Sequence, residues 1–124
     1  GMGFLSRLFK WKSRRAVEKV VFDEHKIIHS PLKGEDVEFY WADLCEVSIE
    51  TTDQGPFVDD VFWVLAGGGR FCRISSTAEG MGELLEKLGE LPEFNHEAVI
   101  VAMSVATNAR FECWKKHGVA PIGR

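Results

Sequence analysis

Residues 40–75, YWADLCEVSIETTDQGPFVDDVFWVLAGGGRFCRIS, decide the fold class of this 124-residue chain. Within Leu44 to Thr51 the apolar Cys45, Val47 and Ile49 alternate with Glu46, Ser48 and Glu50, the period-two pattern of an antiparallel strand with one buried face. Asp53-Gln54-Gly55-Pro56 is a break signal. Val61 to Ala66 is continuously apolar, as a strand deep in a core is. Gly67-Gly68-Gly69 supplies the backbone angles of a hairpin turn without steric cost, so Phe71 to Ser75 reads as the returning strand. Three strand-like segments broken by two turns set the class.

Working outward, Ala16 to Phe22 with Val17, Val20 and Val21 suggests a strand, Asp23-Glu24-His25 a turn, and Lys26 to Ser30 its hairpin partner. Pro31 and Gly34 break the chain before a further strand, Val37 to Trp41, with Val37, Phe39 and Trp41 expected on one face. After Ser75 the period lengthens to about 3.6. Thr77 is the expected N-cap, Met81, Leu84, Leu85 and Leu88 form an apolar stripe, and Gly89 ends the helix. Asn95 is expected to cap a second helix through Met103, with Glu97 favoured in its first turn. Phe111 and Cys113 alternate with Arg110 and Glu112, which makes 108–115 a strand, with a helical continuation as the alternative. The predicted class is α+β: a strongly bent antiparallel sheet or partly open barrel with C-terminal helices packed on it.

The length suits one core, so residues 16–124 are expected to form a single domain behind a basic arm, residues 1–15. The hydrophobic fraction of 45% and charged fraction of 27% are those of a globular protein and exclude a disordered one. No apolar run approaches the roughly 20 residues needed to cross a bilayer. Gly1 before Met2 reads as an expression scar, and the charged residues that follow do not form a secretory signal. Cys45, Cys72 and Cys113 are then expected as reduced thiols in a cytoplasmic protein.

Net charge conceals an asymmetry. Residues 1–20 carry six basic side chains against one acid, a charge of +5, and subtracting this from the total of −4 leaves −9 on the remainder. An acidic body does not suit nucleic acid, because phosphate contacts need a positive face. In the arm, Phe4, Leu8, Phe9 and Trp11 fall near helical spacing among Arg7, Lys10, Lys12, Arg14 and Arg15. Such a helix could lie on an anionic membrane surface, pack on its own body or meet a protein partner.

Trp41-x-Asp43-Leu44-x-x-Val47, entering a long strand among several others and followed by helices, resembles the bacterial pleckstrin-homology-like domains over residues 16 to 105. That resemblance implies a bent antiparallel sheet or barrel closed by a helix and serving as a binding platform for lipids or proteins. Asp53-x-Gly55-Pro56-Phe57-x-x-Asp60 with Leu91-Pro92-x-Phe94 looks like a small family of uncharacterised bacterial proteins, a likeness that implies no activity. Two features depart from the domain pattern. The first hairpin turn is acidic, Asp23-Glu24-His25-Lys26, so phosphoinositide is not an expected ligand, and Pro92 to Trp114 adds chain beyond the first helix.

Among candidate sites, His25, His29, His96 and His117 lack metal-ligand spacing with the cysteines and read as surface or partly buried side chains. Gly67-Gly68-Gly69-Arg70 is followed by a strand rather than by the helix that a phosphate cradle requires. Asp59 and Asp60 with Asp53 and Glu50 make an acidic cluster without the alternate-position carboxylates of a calcium loop. The segment from Asp53 to Asp60, with Gly55, Pro56 and Phe57, is long for a hairpin connection. It is the expected partner-binding loop, with Phe57 as a lid on the core the competing reading. The sequence therefore leads to a non-enzymatic interaction module with no cofactor or metal, bound to a protein partner or a second copy. A peripheral membrane protein is one alternative. A toxin-neutralising immunity protein, whose acidic body would steer towards a basic toxin, is the other.

Overall fold

The computed structural model describes residues 17–53, 61–105 and 107–116. Among the described residues seven strands and two α-helices follow one another as β1 (Lys19–Phe22), β2 (Lys26–Ser30), β3 (Val37–Tyr40), β4 (Glu46–Thr51), β5 (Val61–Gly67), β6 (Arg70–Ser75), α1 (Met81–Leu88), α2 (His96–Met103) and β7 (Ala109–Lys115). The class is α+β. The strands form two antiparallel sheets, β1-β2-β3 and β6-β5-β4-β7, where the sequence led to one strongly bent sheet or a partly open barrel.

The division falls at Trp41–Asp43, a single 3-10 turn that separates β3 from β4. Trp41 therefore does not continue β3, and Val37 lies exposed while Phe39 is wholly buried. The Trp41 side chain faces the first hairpin instead: its Nε1 donates to the Asp23 carbonyl at 2.8 Å, and its ring meets Phe22 edge-on at 6.1 Å. Asp23 makes that hairpin turn by accepting the amides of His25 at 2.7 Å and Lys26 at 2.9 Å, the short-side-chain turn chemistry that its position implies. Those two amide bonds, His25 first, hold its carboxyl below the usual value.

In the larger sheet the hairpin between β5 and β6 turns on Gly67, Gly68 and Gly69, at φ of 154°, 61° and 80°. Register pairs Ile49 with Trp63 and Trp63 with Ile74, so these three side chains share the inner face. β7 returns after the helices to the free edge of β4, with a register shift between Val47 and Ser48. Residues 109–115 are thus a strand, as their alternation indicates.

The helices begin and end for identifiable reasons. Gly80, in the left-handed conformation, precedes α1 without a side-chain cap, so the expected capping by Thr77 is corrected. Thr77 lies one turn earlier, where its hydroxyl pairs with Ser75 Oγ at 2.9 Å. Asn95 does cap α2, its Oδ1 accepting the Ala98 amide at 3.0 Å. Met81, Leu84 and Leu88 of α1 and Ala102 of α2 join Val20, Ile27 and Phe39 of the smaller sheet and the inner face of the larger one in one hydrophobic cluster.

Candidate functional sites on the described surface

Of the expected partner-binding loop, Asp53 is described, exposed and held by its amide to Asn108 Oδ1 at 3.3 Å. Gly55, Pro56, Phe57, Asp59 and Asp60 lie outside the described residues, as does the whole arm with Phe4, Arg7, Leu8, Phe9, Lys10, Trp11, Lys12, Arg14 and Arg15. Glu50, counted with the acidic cluster, is engaged elsewhere: Arg73 Nε sits 3.0 Å from its Oε1 and Arg110 3.9 Å from its Oε2. The Arg73 guanidinium also stacks on Phe62, 3.7 Å from the ring centroid. Among the described residues no group of three His, Cys, Asp or Glu side chains is placed to hold a metal.

The first site that sequence reading missed is a polar cluster inside the core. β1 and β2 pair so that Val20 opposes His29, which puts Glu18 diagonally across from His29 on the same face. Glu18 Oε2 lies 2.6 Å from His29 Nε2 and accepts the Ser75 amide at 3.1 Å. The two side chains are 6% and 14% exposed, His29 the deeper. One carboxylate therefore ties both strands of the first hairpin to the end of β6. Ser75 Oγ takes the Thr77 amide at 3.2 Å as well as the Thr77 hydroxyl, so the cluster reads as a structural clasp.

The thiols show the cost of ionisation in the same interior. Burial, then the Glu18 carboxylate, pushes the Cys72 thiol up to about 12, and burial, then Glu112, pushes Cys113 up to about 11. The unfolded thiol, at 9.0, loses its proton first as pH rises. Stability from these groups is therefore complete below pH 9 and declines above it, by about 1 kcal/mol per pH unit for each thiol. A thiol titration with Ellman's reagent at pH 8 should count one rapidly reacting group, Cys45, which is only partly buried. Cys72 and Cys113 should react only as the chain unfolds; three fast equivalents would contradict their burial.

The second site is the cleft between α1 and α2, about 340 Å³ in volume, walled by Leu85, Phe94, Val99 and Ile100 with Trp63 among its lining and His96 beside them. Phe94 and His96 stack with centroids 4.9 Å apart. Trp63 is 1% exposed, and its Nε1 is buried without an acceptor among the described residues. A buried N–H without a partner is costly and rare in folded proteins. The sequence placed Trp63 in the core, correctly, but the orphaned donor depends on how two helices cross a sheet.

No protein-family model, curated protein or solved structure matches the chain. Function rests on the surface itself.

The third site is the outer side of α2. Eight residues, HEAVIVAM, bury only Ala102 fully and leave Ile100, Val101 and Met103 exposed at 68%, 47% and 50%. Five glutamates, Glu83, Glu86, Glu90, Glu93 and Glu97, all exposed, lie along this part of the chain with Lys87 as the one basic residue from 83 to 97. The pattern that could have revealed this face was available: after Glu97, six consecutive positions are apolar, more than one inward stripe requires. No described helix is long and apolar enough to cross a membrane.

Proposed function

We propose that the protein is a non-enzymatic interaction module whose outer α2 face receives a protein partner. Exposed Ile100, Val101 and Met103 on one short helix carry this reading, because an apolar helix face left in water marks an interaction surface. The glutamates of 83–97 commit the partner's chemistry: apolar side chains ringed by Lys or Arg. The charge pattern sets encounter rate and specificity, and the apolar centre supplies affinity. The pleckstrin-homology-like likeness is part of the same reading. It is supported by antiparallel strands in two sheets over a shared core with helices following, and β7 is an addition to that plan. The loop from Asp53 to Asp60 and the basic arm belong to the proposal as further contact surfaces.

Replacing Val101 and Met103 by Glu alters side chains that are about half exposed, so folding should change little. Affinity capture with the native chain and this double variant, quantified by mass spectrometry, should show partners depleted at least tenfold in the variant and released as salt rises. An identical captured set for both proteins overturns the α2 reading. Sedimentation with anionic vesicles that is lost on deleting residues 3–15 would instead replace it with membrane association through the arm.

A further inference from the structure

We propose that the chain's own basic arm occupies the outer α2 face in the free protein, its Leu8, Phe9 and Trp11 against Ile100 and Val101 and its Arg14 and Arg15 against Glu83 and Glu86. The inference rests on the reading of that face as an interaction surface and names its resident occupant. Apolar side chains ringed by Lys or Arg, the chemistry asked of a partner there, are the composition of residues 4–15. A protein partner then has to displace the arm.

The arm joins the described fold beside α1. Lys19 bridges Glu79 in parallel, and Glu79 donates its amide to the Glu18 carbonyl at 2.8 Å and accepts the Val20 amide at 2.9 Å. Glu79 and Glu83 line one groove with Lys19 to Phe22, so Glu83 faces the strand from which the arm departs. On the other flank of α1, Leu85 and Gly89 share the interhelical cleft with Val99 and Ile100. Glu86, three positions past Glu83 and one past Leu85, is exposed on the turn between those flanks. Glu97 precedes Ile100 by three positions and Val101 by four, which puts all three on one face of α2. A path from β1 over α1 to α2 thus meets acid, then apolar surface edged by acid.

Read back from Val17, the arm offers the matching order: Arg15 and Arg14, then Trp11, Phe9 and Leu8. The link from 12 to 16 between Trp11 and Val17 reaches about 17 Å when extended, enough to cross a helix of about 10 Å diameter and bring the apolar residues to α2. Glu83, Glu86 and Glu97 make no ion pair among the described residues, whereas Glu90 lies 3.9 Å from Lys87. Exposed charge pairs contribute little each, so apolar contact holds the arm and the pairs set where it lies.

The test reads the amides of the whole chain labelled with nitrogen-15. It needs no partner, so this inference and the capture experiment fail separately. Phe9→Asp with Trp11→Asp should shift the Ile100, Val101 and Met103 amides while those of β4 to β6 keep their positions. Glu83→Lys with Glu86→Lys, both at exposed positions, should move the same amides in the same direction, and adding Arg14→Glu with Arg15→Glu should return them at least halfway. About tenfold dilution should leave the native spectrum unchanged, as binding within one chain requires. Shifts that fade on dilution assign the arm to a second copy and overturn the proposal. So do α2 amides that stay in place in both double variants, or a charge swap that restores nothing.

Discussion

Gly67→Ala should destabilise the protein by about 4 kcal/mol, near the upper end for single substitutions. Gly67 ends β5 at φ 154°, where an L side chain is strained. A Cβ there would lie 1.8 Å from the Asp43 carbonyl oxygen and 2.8 Å from the Cys45 amide nitrogen. Both obstacles are backbone atoms of the link between the two sheets, and Cys45 N is already bonded to the Ala66 carbonyl at 2.8 Å. Relief would have to move the strand entrance itself, which a packed core resists. Gly69→Ala is the internal control. Its φ is 80°, yet nothing lies within 4 Å of the added carbon, so it should cost about 1 kcal/mol of backbone strain alone. Urea unfolding of both variants reads the difference; equal losses would mean that the close approach at Asp43 is absent in solution.

Glu18→Leu should cost about 2–3 kcal/mol, the scale of losing part-buried hydrogen bonds to a carboxylate and leaving their donors unpaired. It strands His29, which is 5% exposed, and takes the acceptor from the Ser75 amide. Replacing both Glu18 and His29 by Leu should cost less than the two single losses together, because no polar ring is then left facing an apolar partner. A cycle in urea should give a coupling of about 2 kcal/mol. Strict additivity would show that the 2.6 Å contact contributes nothing as a pair.

These two sites differ in how far the sequence exposes them. The glycine run announces a hairpin, since three successive glycines have few other structural uses, and the alternation in β4 and the Asn95 cap are local signals that survive folding unchanged. Glu18 and His29 are eleven positions apart, and only the observed β1–β2 register makes them neighbours. In the sequence Glu18 is the one acid among the six basic residues of 1–20. Trp41 matched a strand by alternation, but a single 3-10 turn won because its indole bonds back to Asp23. The α2 face was written in its composition. The Trp63 cleft was not, because an orphaned donor becomes visible only once every possible acceptor has a position.

The placement of β7 reaches beyond the finished fold into its assembly. β4 lies between β5 and β7, yet Thr51 and its partner Ala109 are separated by both helices and the whole of the β5–β6 hairpin. During synthesis β4 and β5 can zip together early, while the other edge of β4 waits with open amides and carbonyls until β7 arrives. Closing so long a loop is slow relative to local pairing, and in that interval the bare edge invites strands from neighbouring nascent chains. The order of elements along the chain thus keeps one side of β4 open until β7, the last of the described strands, pairs with it and becomes the edge itself.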